Sequence, residues 1–307
     1  MTVSEKLGSN EIIERAAERG VTIPAFNIPY LPMLKPVVAA LREENAFGFI
    51  AVARLEWIKF ESKSMDAVKQ EFDRHQDPAH VRLHLDHIPV IDEDGIHVDY
   101  RAEIGHALAL GFSSVMVDGS RLPLPENIAA TAEIAQMAHD AGVPVEAELG
   151  AVLGHEEGPL PPYEELFESK RGFTDVEEAR SFAARAGCDW LSVSFGNIHG
   201  AVSKALRDQE KPRARLDIDH LKRLREATQL PLVLHGGSGI ETEYLHRAIE
   251  NGVAKVNVGT DIRQAYEREM AASNDTDRAQ DAVFAKTRTL LGGWLGVSGS
   301  CSRLFDE

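Results

Sequence analysis

The chain has 307 residues, with 33 Lys and Arg against 49 Asp and Glu, so its formal charge is −16; hydrophobic residues make up 43% and charged residues 27%. That balance belongs to a folded globular protein, and the acidic excess argues against a nucleic-acid partner. No run approaches the ~20 apolar residues of a membrane span, the N-terminal stretch carries acids where a signal peptide has an apolar core, and two cysteines, Cys188 and Cys301, make no disulfide framework. The expectation is a cytoplasmic protein with no membrane or nucleic-acid partner.

No low-complexity tract or Gly/Pro/Ser-rich linker divides the chain, so residues 1–307 are expected to form one domain. A helix over 9–19 ends at Gly20 and leads to a β-type run, Ile23–Asn27. Helices over 33–45 and 60–74 precede Phe49–Ala53 and Val81–Asp86. A helix over 99–110 stops at Gly111 before Ser113–Asp118, and one over 125–141 stops at Gly142 before Val143–Glu148. Thr174-Asp175 with Glu177-Glu178 opens a helix over 175–186, closed by Gly187 ahead of Trp190–Ser194. Asp217 opens a helix over 217–228 before Leu232–His235. Helices over 241–251, ended by Gly252, and 261–275 flank Ala254–Val258.

Near-continuous apolar strands alternating with amphipathic helices imply a parallel sheet covered on both faces. Eight such units favour a (β/α)8 TIM barrel over an open doubly wound sheet, and no G-x-G-x-x-G follows Ile23–Asn27. The barrel core is expected over about 20–270, with a C-terminal helical extension over about 271–307.

Barrel active sites lie at the carboxyl ends of the strands. Those ends carry Asn27, Asp86-His87, Asp118, Glu148, Asn197 with His199, His235 and Asn257, a collection of polar groups at one rim. His87, His199 and His235 follow three different strands, and three imidazoles with an open fourth position suit a catalytic zinc ion. The competing reading is that twelve histidines scatter through the chain as ordinary solvated residues. That applies to His75, His80, His97, His106, His139, His155, His220 and His246. His84 shares a strand face with Asp86 and could orient a ligand.

His235-Gly236-Gly237-Ser238-Gly239 and Asn257-Val258-Gly259-Thr260 each lead into a helix, where backbone N–H groups can bind phosphate; alone, Gly-Gly-Ser-Gly is equally a tight turn. Glu156-Glu157 lies in a stretch from Gly154 to Gly172 with three prolines. A stretch of that length is commonly a lid, which can carry a proton-transfer group; a solvated acidic pair is the alternative.

Taken together, Ala25-Phe26-Asn27, His84-Leu85-Asp86-His87, Val117-Asp118-Gly119-Ser120, Glu146 to Gly150, Gly196-Asn197-Ile198-His199-Gly200, Leu234 to Gly239 and Lys255 to Thr260 resemble the class II, zinc-dependent fructose- and tagatose-bisphosphate aldolases, in the family's order. The resemblance implies reversible aldol cleavage of a ketose bisphosphate-like sugar to dihydroxyacetone phosphate and an aldehyde. It implies one Zn2+ held by His87, His199 and His235 with Glu148 close by, stabilising an enediolate. Asp86 would exchange a proton with the hydroxyl at the breaking bond, and Glu157 or its neighbour Glu156 would move the proton on the donor carbon. Gly200, Gly236, Gly237, Ser238, Asn257, Gly259 and Thr260 would cradle the phosphate, Asn27 would orient substrate, and His84 and Asp118 would support the ligands. A monovalent cation, Na+ or K+, and a homodimer or homotetramer are also implied, with the apolar residues among Leu290 to Val297 suited to pack a partner.

The chain departs from the family at Arg54-Leu55-Glu56-Trp57, where small or polar residues are usual, and in a longer segment from Ile88 to Asp99. The first bears on the acceptor aldehyde. The chain end, including Arg303, departs too and carries no assigned role. Lys255, two residues before Asn257, is a weak candidate for Schiff-base chemistry. The alternatives are a metal-dependent hydrolase on the same fold and a non-catalytic sugar-phosphate-binding barrel.

Overall fold

The computed structural model describes residues 3–150, 163–197 and 214–306. Strands β1 (Ile23–Asn27), β2 (Gly48–Ala53), β3 (Val81–Pro89), β4 (Ser114–Asp118), β5 (Val145–Leu149), β6 (Trp190–Val193), β7 (Leu232–Leu234) and β8 (Val253–Val258) form a closed parallel barrel in sequence order. β8 pairs with β1 through Ala25↔Asn257 and Phe26↔Val258, which closes the ring. The TIM barrel expected from the alternating pattern is therefore present.

The α-helices are α1 (Val3–Lys6), α2 (Ser9–Arg19), α3 (Leu34–Glu43), α4 (Arg54–Ile58), α5 (Met65–His75), α6 (Tyr100–Leu110), α7 (Leu124–Asp140), α8 (Tyr163–Ser169), α9 (Val176–Ala186), α10 (Ile218–Thr228), α11 (Thr242–Glu250), α12 (Thr260–Ser273), α13 (Thr276–Thr289) and α14 (Ser300–Phe305), with short 3-10 and π-helical turns at Leu31–Met33 and Leu290–Trp294. Side-chain caps fix several starts: Asp99 accepts from the Ala102 amide, Asp175 from Glu177 and Glu178, and Asp217 from His220. The helix predicted from residue 60 begins only at Met65, because Ser64 caps it and Lys63 turns the chain with φ 69°. α4 falls between the Phe49–Ala53 run and the helix predicted from residue 60, where the sequence pattern marks no element. Its Glu56 carboxylate accepts from the Ala53 amide, an N3 side chain reaching back to the start of the helix.

Strand alternation splits the apolar residues into two cores. Ile50, Val52, Leu83, Leu85, Val115, Val117, Leu191 and Val193 pack outward against the helices. Ile23, Ala25, Phe49, Ala51, Trp190 and Val233 pack with Ile12, Ile13 and Ala16 of α2 and with Leu304 and Phe305 of α14. This second cluster plugs one end of the barrel, and the Trp190 indole donates to Asn10 there. Above it, toward the carboxyl ends, the interior turns polar: His84, Glu146, Ser192, Lys255 and His235 are all fully buried. No described helix is long and apolar enough to cross a membrane.

Candidate active site

Asp86 and His87 are neighbours on β3, and regular alternation would send them to opposite faces. The β3–β4 register slips between Leu85 and Ile88, and His87 sits at φ 23°, outside ordinary strand geometry. This bulge allows both side chains to enter the same cluster. Asp86 then meets Asn257 from β8, while His87 meets Asp118 at the end of β4 and stacks edge-on with His235 beyond β7, with ring centroids 4.5 Å apart.

Asp86, His87 and His235 each offer one donor atom, all within 4.8 Å of one another. Nδ1 of His87 lies 3.0 Å from Asp118 Oδ2, which assigns coordination to Nε2. For His235 the assignment reverses. Its Nε2 lies 2.8 Å from Glu146 Oε1 inside the barrel, and its Nδ1 faces Glu148 Oε2 at 3.1 Å. Nitrogen donors surrounded by carboxylates fit a divalent cation of the zinc type. The same charges set the protonation of the cluster: burial opposes it, but Asp86, Asp118 and Glu148 raise His87 to about 10. Asp86 is held well below the usual carboxylate range despite its burial, by His87, His84 and Lys255. A bound cation would take the place of those imidazole protons.

Asp86 is 1% exposed, and amides grip it from two strands. Asn27 donates to Oδ2 at 2.8 Å, and Asn257 donates to Oδ1 and Oδ2 at 3.0 and 3.1 Å. Beneath it, His84 Nε2 lies 3.7 Å from Asp86 and 3.5 Å from Glu146, and its Nδ1 is 2.9 Å from the Ser114 hydroxyl. Lys255 Nζ donates to Asn257 Oδ1 and pairs with Glu146 Oε2 at 2.8 Å. With both partners inside the barrel and no exposure, this amine is not presented at the mouth as a Schiff-base lysine would be.

In the two glycine-containing loops, Gly237 is tightly packed: a Cβ would lie 3.0 Å from side-chain atoms of Trp294 and Val256, which would have to give way by a few tenths of an ångström. The Ser238 hydroxyl donates to Asp261, whose other oxygen pairs with Lys286 of α13. Thr260 is the first residue of α12 and Gly259 precedes it, with Asn27 beside the position of a Gly259 Cβ. On the other side of His87, a cavity of about 90 Å3 is lined by Ala53, Arg54, Leu55, His87, Pro89, Ile91, Glu93, Asp118 and Arg121. The two departures noted in the sequence meet here. Arg54 pairs with Asp92 and Glu103, and Lys59 pairs with Glu93 and Asp94.

The structure thus brings together Asn27, His84, Asp86, His87, Asp118, Glu148, His235 and Asn257. The side chain of Asn257 is committed to Asp86 and Lys255. His199, Gly200, Glu156 and Glu157 lie outside the described residues. Glu56, Glu146 and Lys255 belong to the cluster but were not singled out as site residues by the sequence. Glu56 is 7% exposed, and burial, with Asp86 nearby, pushes its carboxyl well above the ordinary range. The two-residue spacing of Glu146 to Glu148 and of Lys255 to Asn257 was the available signal, since it places each pair on one strand face. His220, expected in solvent, is buried with Nε2 at 2.8 Å from the Thr174 carbonyl.

A family model for class-II fructose-bisphosphate aldolase matches residues 8–292. A fructose-bisphosphate aldolase of Streptococcus pyogenes serotype M6 is 30% identical over 310 residues, covering 98% of this chain and 96% of that protein. The crystal structure of the YdjI aldolase from Escherichia coli K12 superposes with a TM-score of 0.73 at 25% identity, over 96% of this chain and 99% of that one. A fructose-bisphosphate aldolase structure from Campylobacter jejuni, 20% identical with a TM-score of 0.72 over 97% and 96% of the two chains, shares the fold.

Proposed function

The chain belongs to the class II fructose-bisphosphate aldolase family, and from that premise we propose that it catalyses reversible zinc-dependent aldol cleavage of a phosphorylated ketose to dihydroxyacetone phosphate and an aldehyde. The observation that carries this reading is the convergence of Asp86, His87 and His235 within 4.8 Å at the barrel mouth, with Asp86 held by two amides. His87 through Nε2, His235 through Nδ1, and His199, with Glu148 nearby, would hold the zinc ion, which would supply a Lewis acid for charge developing next to the donor carbonyl.

Asp86 accepts the proton of the hydroxyl at the breaking bond and returns it in the condensation direction. Asn27 and Asn257 occupy it with N–H donors only, so the carboxylate is kept as an acceptor for that proton. Glu157 or Glu156 carries the proton on the donor carbon. The donor phosphate lies against the amides of Gly200, Gly236, Gly237, Ser238, Gly259 and Thr260, where the start of α12 adds its dipole; Na+ or K+ assists there. The acceptor aldehyde enters on the Arg54–Arg121 side. The working protein is a cytoplasmic homodimer or homotetramer.

The test is zinc-loaded protein with dihydroxyacetone phosphate in D2O, followed by NMR against a chelated control. Metal-dependent loss of the donor-carbon proton signal is expected; no exchange with zinc bound would reject the aldolase reading. Asp86→Ala should keep exchange and zinc yet stop carbon–carbon cleavage, and cleavage at the native rate would reject its role.

A further inference from the structure

We propose that Lys255 is a positioning residue for the proton carrier, acting through Asn257. An ammonium has three donors and no acceptor, so Asn257 must turn its carbonyl oxygen toward Lys255 Nζ, 2.7 Å away. That leaves the Asn257 amino group to face Asp86, where it spans both carboxylate oxygens. The reversed amide would set N–H2 against an ammonium, a pairing with no acceptor, and a carbonyl against a carboxylate, a pairing with no proton. With Lys255, Asp86 and Asn257 all buried, either mismatch is costly. Lys255 is 0% exposed, and Glu146, also 0% exposed, holds its charge in place at 2.8 Å.

The geometry forms one continuous line. His235 on the metal side meets Glu146, Glu146 pairs with Lys255, Lys255 fixes Asn257, and Asn257 holds Asp86. Asn27 holds the same carboxylate from β1, the strand next to β8. Lys255 and Asn257 share the inward face of β8 by strand alternation, so one strand supplies both the cation and the amide it orients. His84, which faces Asp86 and Glu146 from β3, is anchored by Ser114 and cannot substitute for a donor against Asn257. The role differs from amine catalysis: Lys255 touches neither substrate nor metal.

This inference rests on the aldolase reading, in which Asp86 acts in bond making and breaking but not in exchange of the donor-carbon proton. The variants are Lys255→Met, Asn257→Ala and both together. Each is read by condensation of dihydroxyacetone phosphate with glycolaldehyde, by D2O exchange and by zinc content. Lys255→Met should lower the condensation kcat about 10- to 100-fold, the range for partners that orient a reacting group, with zinc content unchanged and a smaller loss of exchange. The double variant should fall within about threefold of Asn257→Ala, because the two losses share one cause. Multiplying losses, an unchanged Lys255→Met, or equal losses of exchange and condensation would each overturn the proposal.

Lys255→Met leaves the Glu146 charge uncompensated, which can prevent folding. Glu146→Gln/Lys255→Met removes both charges of the pair together, and its condensation should fall to the same level as that of Lys255→Met. Wild-type protein that exchanges but does not condense would remove the step assigned to Asp86 and overturn the proposal. Wild-type protein that does neither, with zinc bound, would instead reject the aldolase reading itself.

Discussion

Asp118→Asn tests the metal side of the site with a single-atom change. Asp118 Oδ2 lies 3.0 Å from His87 Nδ1, and Oδ1 accepts from the Ser120 amide at 3.0 Å. Asparagine can keep the Ser120 contact through its carbonyl and must then present N–H2 to His87 Nδ1. That nitrogen is a donor whenever Nε2 gives its lone pair to a metal, so two donors would meet. His87 must lose the bond or move its proton to Nε2, where it blocks coordination. A hydrogen bond to a charged partner is worth about 1.5–3 kcal/mol. At about 1.4 kcal/mol per tenfold, that weakens zinc binding roughly 10- to 100-fold, in line with the usual cost of losing such a partner. The assay is competition for zinc against a chromophoric chelator, with circular dichroism to confirm the fold. Asp118→Ala should bind zinc no more weakly than Asp118→Asn, since alanine brings no opposing donor. A folded Asp118→Asn protein with affinity within about twofold of wild type would refute the assignment of Nε2 as the ligand atom and of Asp118 as its support.

Arg121 lines the cavity beside His87 and has no ion-pair partner among the described residues, so it is available to an anionic group on the acceptor aldehyde. Arg121→Met should raise KM about tenfold or more for glyceraldehyde 3-phosphate and leave neutral glyceraldehyde within about twofold; equal effects on both would count against this. A Cβ at Gly119 would come within 2.2 Å of Asn127 Oδ1, and Asn127 Nδ2 donates to the Glu148 carbonyl at 3.0 Å. Gly119→Ala should therefore cost about 1–3 kcal/mol in denaturant unfolding, and an unchanged midpoint would show that the contact relaxes freely. Burial pushes the Cys188 and Cys301 thiols up to about 12. Their alkylation should be slow at pH 8 and accelerate about tenfold per pH unit toward pH 10, because only the thiolate reacts; rapid labelling at pH 7 would contradict the burial.

The strand and helix order was legible because each strand is buried on both faces and each helix on one, which writes two distinct periods into the sequence. The ends of the strands were legible as well, since polar residues there interrupt apolar runs. Two things were not. The inward turn of both Asp86 and His87 depends on the slipped β3–β4 register, and a bulge leaves no mark in a sequence without a glycine or proline at the slip. Glu146 stood in a motif without a role and Lys255 was read only as a weak candidate amine, because the pairing that joins them links strands remote in sequence. α4 was hidden for a related reason: Glu56 caps its own helix from inside the barrel mouth.

The two departures from the family pattern looked independent in the sequence, one at the end of β2 and one after β3. In space they are one construction. Arg54, from the first, pairs with Asp92 of the second, and Lys59, just past the first, pairs with Glu93 and Asp94 of the second. Asp92 is 5% exposed and also accepts from the Asp94 and Ile96 amides, so it fixes the turn that shapes the inserted segment. Restoring small residues at 54–57 alone would leave that carboxylate buried without its guanidinium, a larger loss than the pair itself contributes. Shortening the segment alone would strand Arg54 with only Glu103. Each change is tolerable in the company of the other, so the two segments have to vary as a unit. Any substrate preference they set should transfer to a related barrel only when both move together.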